Sequence, residues 1–138
     1  MNILVIDAQG GGIGRQLVGS IKQELPEVSV TAVGTNSAAT SAMLKAGADR
    51  AATGENAVVV ACRTADVILG PVGIVIADAM LGEITPVMAA AVGRSPARRI
   101  LIPFDHCDNV VVGVADMSMS GLIREAVKAL RTVVEQIA

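Results

Sequence analysis

Short apolar runs alternate with segments of helical periodicity from one end of the chain to the other, and this constrains the fold more than any other feature of the sequence. Ile3-Leu4-Val5-Ile6 is a continuous apolar run, the pattern of a central strand covered on both faces. Ile13, Leu17, Val18, Ile21 and Leu25 then recur at helical spacing, and Pro26 stops that helix. Val28–Val33 reads as a second strand ended by Gly34, Ser37–Ala46 as a helix closed by Gly47, and Asp49–Thr53 as a short third strand.

In Glu55–Thr64 the Val58-Val59-Val60 run favours a strand, whereas Glu55 in a first turn and the need for a crossover favour a helix. The helix is preferred. Val67–Leu69 is a fourth strand ending at Gly70-Pro71. One or two helices follow between Ile74 and Val92, broken near Gly82–Pro86. Arg99–Phe104 is a fifth strand, and Val110–Val114 is a candidate extra one. Leu122, Ile123, Ala126, Val127, Leu130, Val133, Val134 and Ile137 mark one apolar face of a final helix. Such alternation implies a Rossmann-like α/β fold over 1–138: one domain with three layers and a doubly wound, mainly parallel sheet of about five strands. The expected strand order is 3-2-1-4-5. Ligands of such sheets bind beyond the carboxyl ends of the strands where the order reverses, here between the first and fourth strands.

The turn at that place is Asp7-Ala8-Gln9-Gly10-Gly11-Gly12-Ile13-Gly14. Glycines allow close approach to the backbone, and a helix N-terminus offers unpaired amides and partial positive charge. Four glycines within Gly10–Gly14 exceed what a strand–helix turn needs. The expectation is an anion seat formed by Gln9, Gly10, Gly11, Gly12, Ile13 and Gly14, with Thr35, Asn36, Glu55, Asn56 and Gly70 flanking the ligand. The dinucleotide fingerprint is incomplete, because Arg15 stands where its last glycine belongs. A Walker-type loop would continue with Lys and then Ser or Thr, where Arg15-Gln16 is found. NAD sites also carry an acid after the second strand, and Gly34-Thr35-Asn36-Ser37 has none. The expected ligand is therefore a nucleotide or other phosphorylated small molecule, with standard NAD binding disfavoured and the cofactor unassigned.

Other residues carry chemistry that the pattern leaves open. Asp7 is a candidate general base, metal ligand or acceptor for the amides of the turn. Glu55 is a second candidate for proton transfer, and Thr53 is a candidate helix cap. Asp105-His106-Cys107-Asp108 holds four ligand types in a row, yet neighbouring side chains diverge and no second cluster has zinc spacing, so no metal is expected. Cys107 beside His106, the single histidine, is a candidate nucleophile. Cys62 reads as helix core. Asp78 and Glu83, within an apolar stretch, could line the cleft, pair with Arg94 or Arg98, or mark an exposed helix face. Besides a binding module, the same cleft could serve an enzyme using Asp7, Glu55 or Cys107, or stand empty in a regulatory or structural subunit.

Composition narrows the partners. Charged residues make up 17% against roughly 25% in typical soluble domains, too few to cover a monomer generously. A homo-oligomer, a dimer first, is expected. Phe104 is the sole aromatic residue, and eleven basic against thirteen acidic residues form no basic stripe, which excludes nucleic acid as an expected partner. Val72–Val92 has the length of a membrane span, but Asp78, Glu83 and Pro86 interrupt it, and buried charges there cost about 2.5–3.5 kcal/mol each. No membrane association is expected. Two cysteines and the absence of a signal-like N-terminus fit a reduced cytoplasm.

The turn Asp7–Gly14, with Gly34-Thr35-Asn36, Met43-Leu44-Lys45-Ala46-Gly47-Ala48, Thr53-Gly54-Glu55-Asn56-Ala57 and Gly70-Pro71-Val72-Gly73-Ile74, resembles a bacterial family defined only as a domain of unknown function. Met80-Leu81-Gly82-Glu83-Ile84-Thr85-Pro86 and Ile100-Leu101-Ile102-Pro103 extend the resemblance over nearly the whole chain. The family pattern has glycine where this chain has Ala8, and the added methyl is expected to narrow the approach to the turn. The resemblance implies a small cytoplasmic bacterial protein and no particular activity.

Overall fold

The computed structural model describes residues 1–104, 109–114 and 116–137. The elements run β1 (Asn2–Asp7), α1 (Gly12–Glu24), β2 (Ser29–Gly34), α2 (Ser37–Lys45), β3 (Arg50–Thr53), α3 (Glu55–Thr64), β4 (Val67–Pro71), a 3-10 turn (Val72–Val75), α4 (Pro86–Arg94), β5 (Arg98–Ile102) and α5 (Met119–Ile137). The sheet has five strands in the order β3-β2-β1-β4-β5, all parallel. It is the Rossmann-like three-layer arrangement expected from the alternation.

The period-2 alternation of each strand sorts its side chains into two cores. Ile3, Val5, Val30, Ala32, Val67, Leu69 and Ile102 face Leu17, Val18 and Ile21 of α1, Met43 of α2, and Ile123, Val127 and Leu130 of α5. Leu4, Ile6, Ala8, Val33 and Ile68 face Val58 and Cys62 of α3 and Met88 and Val92 of α4. Both faces of β1 are therefore sealed, which is why its sequence lacks alternating polar residues.

The 55–64 segment is a helix. Its Val58 is buried, whereas Val60 lies 48% exposed, so the valine run follows a helical face and not a pleat. At Val110–Val114 the expectation of a strand is not met: these residues form a turn and stand exposed, with no strand edge beside them among the described residues. Between Ile74 and Val92 only Pro86–Arg94 is α-helical. Thr85 caps it by accepting from the Met88 amide at 3.1 Å, and Pro86 fixes its first turn. Residues 77–84 are a tight loop closed on itself by Asp78 N donating to the Ile84 carbonyl at 2.7 Å, and pinned by buried Ala79 and Ile84. Asp78, Met80 and Leu81 adopt left-handed backbone there, at φ 67°, 57° and 57°.

At the end of the sheet away from the switch point, Lys22 ties α1 to the start of β2. Its Nζ donates to the Val28 carbonyl at 2.9 Å and pairs with Asp49 at 3.0 Å, while Asp49 also accepts the Val30 amide. These bonds hold the Asp49 carboxyl below its ordinary value.

Gly70 marks a tight contact between the central strands: a Cβ there would lie 2.5 Å from the Ile6 carbonyl oxygen and 2.9 Å from Ile74 Cδ1. Backbone cannot yield as a side chain tip can. Gly70→Ala is expected to destabilise the protein by about 1–3 kcal/mol in denaturant unfolding. Gly93→Ala, where a Cβ meets nothing within 4 Å, is expected to be neutral or to stabilise by about 0.4–1 kcal/mol.

Candidate functional site

β1 and β4 diverge toward their helices on opposite faces of the sheet, leaving a crevice at their carboxyl ends. Asp7, the last residue of β1, is 4% exposed and organises the turn that follows. Its Oδ1 accepts the Ala8 amide at 2.8 Å and its Oδ2 accepts the Gly14 amide at 2.7 Å. Of the roles open to Asp7, the structure shows that of acceptor for the turn. Burial pushes its pKa up, partly offset by the amides of Gly14, Ala8 and Ile13, and the nearby Glu83 charge pushes it further up; the net direction is upward.

The turn's glycines divide into two kinds. Gly11 caps α1 at φ 72°, and a Cβ on it would lie 2.9 Å from Ala39 Cα. On Gly14 a Cβ would lie 2.6 Å from Met43 Sδ and 2.8 Å from Asp7 Cβ. Both are required by packing. Gly10 and Gly12 meet nothing within 4 Å in the direction of a Cβ. The seat of free amides is smaller than the sequence suggests: Gly14 N is held by Asp7, Gly11 N by the Ala8 carbonyl and Gln9 N by Glu83. Among the described residues, nothing accepts from the Gly10 and Gly12 amides.

A cavity of about 350 Å³ opens onto this backbone. Asp7, Ala8, Gln9, Gly10, Gly11, Gly12, Ile13 and Gln16 form one wall, and Pro71, Gly73, Met80, Phe104 and Met119 the other. Ala8 is buried in the α3–α4 core and also borders the cavity. The apolar wall was not read from sequence, because Met80, Phe104 and Met119 come from three separate segments. Larger grooves of about 740 Å³ between α1 and α5 and 510 Å³ between α3 and α4 lie on helix faces, away from the strand ends.

Thr35 and Asn36 lie beside the turn but point to Glu83. Glu83 Oε1 accepts from Gln9 N at 2.8 Å, Thr35 Oγ1 at 2.7 Å and Asn36 Nδ2 at 2.8 Å. Asn36 Nδ2 also donates to the Gln9 carbonyl, and its Oδ1 caps α2 through the Ala39 amide. Partial burial pushes Glu83 up, but the bonds from Gln9, Thr35 and Asn36 outweigh it and its pKa is lowered. Glu83 sits on the 77–84 loop, not on a helix, and neither it nor Asp78 pairs with Arg94 or Arg98: the ion pairs among the described residues are Lys22–Asp49 and Arg131–Glu24.

Glu55 opens α3 and accepts from Thr85 Oγ1 at 2.6 Å, and Asn56 follows it exposed. Thr53 does not cap α3. The capping position is Gly54 at φ 105°, and Thr53 Oγ1 instead bonds Thr40 Oγ1 at 2.7 Å. Gly70 is buried in β4 against Ile6. Cys62 is buried, and desolvation pushes its thiol up to about 11. Asp105, His106, Cys107 and Asp108 lie outside the described residues. Among the described residues no group of three or more His, Cys, Asp or Glu could hold a metal ion, and no helix is long and apolar enough to cross a membrane.

A family model described as Domain of unknown function (DUF3842) matches residues 2–135. The chain belongs to this family. The resemblance read from the sequence motifs and this match coincide. No curated protein matches the chain. Among solved structures, it is similar to a dodecameric FMN-dependent Ubix-like decarboxylase from Escherichia coli O157:H7, at 18% identity and a TM-score of 0.44, covering 96% of this chain and 76% of that one.

The two carboxylates of the site shift in opposite directions, and stability should follow. The upward shift of Asp7 means its contribution is fully present below its ordinary value of 3.8 and is lost as pH rises through its higher folded value. Glu83 contributes fully above its ordinary value of 4.5, and that contribution is lost as pH falls through its lower folded value. Unfolding free energies measured from acid to neutral pH should show wild type losing ground to Asp7→Asn as pH rises, and losing ground to Glu83→Gln as pH falls.

Proposed function

We propose that the protein binds a nucleotide or other phosphorylated small molecule in the crevice at the carboxyl ends of β1 and β4. The observation that carries this reading is the pair Gly10 and Gly12. Neither glycine is demanded by packing, neither amide is used by a described residue, and both face the 350 Å³ cavity. That volume falls in the range of small-molecule sites, roughly 300–1,000 Å³. An anionic oxygen accepting from these amides also lies at the positive end of α1. Pro71, Met80, Phe104 and Met119 offer an apolar surface to the remainder of the molecule.

The seat suits one phosphate better than a chain of them. The Asp7 carboxylate already neutralises the amides of Ala8 and Gly14, and Glu83 holds that of Gln9. Further negative charge would meet two carboxylates and only two unengaged amides. Arg15 is exposed and lies outside the cavity wall, so it adds no cation to it.

We also propose that copies of the chain associate through α3 and α4. Val87 of α4, about half exposed, lines with Val59 of α3 a groove of about 510 Å³ with a mostly apolar floor. Light scattering should give a dimer or larger. A monomer at all concentrations would overturn this.

A thermal-shift panel of nucleotides and sugar phosphates tests the binding reading. Ligand at 100 times its Kd should stabilise by about 2.7 kcal/mol. Gly12→Ala places a methyl in the space assigned to the ligand and is expected to fold at least as stably as wild type while losing the shift. No shift with any compound, or a full shift retained in both Gly10→Ala and Gly12→Ala, would overturn the proposal.

A further inference from the structure

β3 is an open edge of the sheet, and its backbone polar groups can be accounted for one by one. Its register on β2 runs from Thr31 with Arg50 to Gly34 with Thr53, and the Gly54 amide donates to the Gly34 carbonyl at 2.9 Å. Alternate residues of a parallel strand bond to the same neighbour, so Arg50, Ala52 and Gly54 turn their N–H and C=O groups toward β2. Ala51 and Thr53 turn theirs outward. Among the described residues, nothing bonds these four groups.

The side chains leave room for another strand. Ala51 is half-buried, Ala52 and Thr53 are exposed, and neither alanine is large enough to screen the backbone. On the α3 face a groove of about 390 Å³ runs beside the edge, lined by Arg50, Ala52, Ala61 and the half-exposed Val60. It shares no residue with the groove between α3 and α4.

Short, charged edge strands usually resist pairing, but a second copy of β3 escapes this deterrent. Antiparallel pairing about a two-fold axis at Ala52 sets Ala51 of each copy opposite Thr53 of the other, where the two residues exchange both their bonds. All four outward groups of each copy then find partners within β3. Ala52 meets Ala52, a small pair at the position of closest approach. Arg50 meets Gly54, beside Glu55 of the other copy. Neither Arg50 nor Glu55 makes an ion pair among the described residues, and the axis brings these opposite charges together twice.

We propose that the β3 edge is a self-association surface in its own right, at which two copies join antiparallel about Ala52 and their sheets become continuous. The contact is isologous and therefore closes on itself.

Cysteine cross-linking reads this register. Opposed residues of a non-hydrogen-bonded pair have Cα atoms about 4.5 Å apart, within the roughly 4.4–6.8 Å that a disulfide spans. In the full chain carrying Cys107→Ser, with Cys62 buried, Ala52→Cys is expected to give a disulfide-linked dimer under mild oxidation. Ala51→Cys, whose copies lie on a diagonal at about 7–8 Å, should stay unlinked. The Ala52→Cys product should also form when Val87→Glu is added to break the α3–α4 contact. In that Val87→Glu background, with Ala52 restored, Arg50→Glu and Glu55→Arg should each weaken the dimer about 5-fold or more in sedimentation. Their combination should restore it. Absence of the Ala52→Cys dimer, equal linking at Ala51→Cys, or loss of the product with Val87→Glu would overturn the proposal. If the cysteine variant fails to fold, the charge swap decides: single swaps without effect, or no recovery in the double variant, overturn it as well. A wild-type dimer indifferent to Val87→Glu but weakened by Arg50→Glu supports the edge and overturns only the α3–α4 reading.

Discussion

Everything at the crevice depends on the Asp7 carboxylate gripping the amides of Ala8 and Gly14. This clamp turns the chain back on itself at the end of β1 and starts α1 close above the sheet. Gly14 then lies against Asp7 and Met43, and Gly11 against Ala39, so the same clamp also sets how α1 meets α2. Burying a carboxylate opposes folding, and the shift of Asp7 toward protonation records that cost. The amides at the head of the helix offset it. Local geometry, helix packing and the electrostatics of the site are thus one problem solved by one side chain.

The consequence is a crevice divided between the two sides of β1. Toward β2 it is filled by protein: Glu83 engages Gln9, Thr35 and Asn36, and Thr85 engages Glu55. Toward β4 and β5 it is open and bordered by apolar side chains. A phosphate-bearing ligand would therefore enter from the β4 side and meet the turn at Gly10 and Gly12, with the loop carrying Glu83 overhead.

Much of the architecture was legible in the sequence because its signals are local. Ile3–Ile6 had to be a central strand, and the α5 stripe from Leu122 to Ile137 had to be an amphipathic helix. The observed strand order is one of the two common windings that such an alternation of five β runs with helices allows. The valine run in α3 misled only in part, since Glu55 and chain connectivity tipped the choice correctly. Val110–Val114 is the failure of that logic: apolar composition alone does not make a strand without a neighbour to pair with. The site was legible in its place but not in its parts. Glu83 meets residues 47, 48 and 74 positions away, and no local pattern carries such information. One clue was present, because Gly82 before it and Thr85-Pro86 after it mark a loop leading into a helix start. The reading of Glu83 as an arginine partner or an exposed helix face passed over that clue.

Cys62 shows what the two-sided core means for chemistry at the surface. Its sulfur lies beneath α3, and with its thiol near 11 only on the order of one molecule in ten thousand carries a thiolate at neutral pH. Alkylating and oxidising reagents will find neither access nor a nucleophile there while the helix lies flat on the sheet. The sulfur is consequently a clock for that layer: the rate at which it is modified counts the openings of the α3 side.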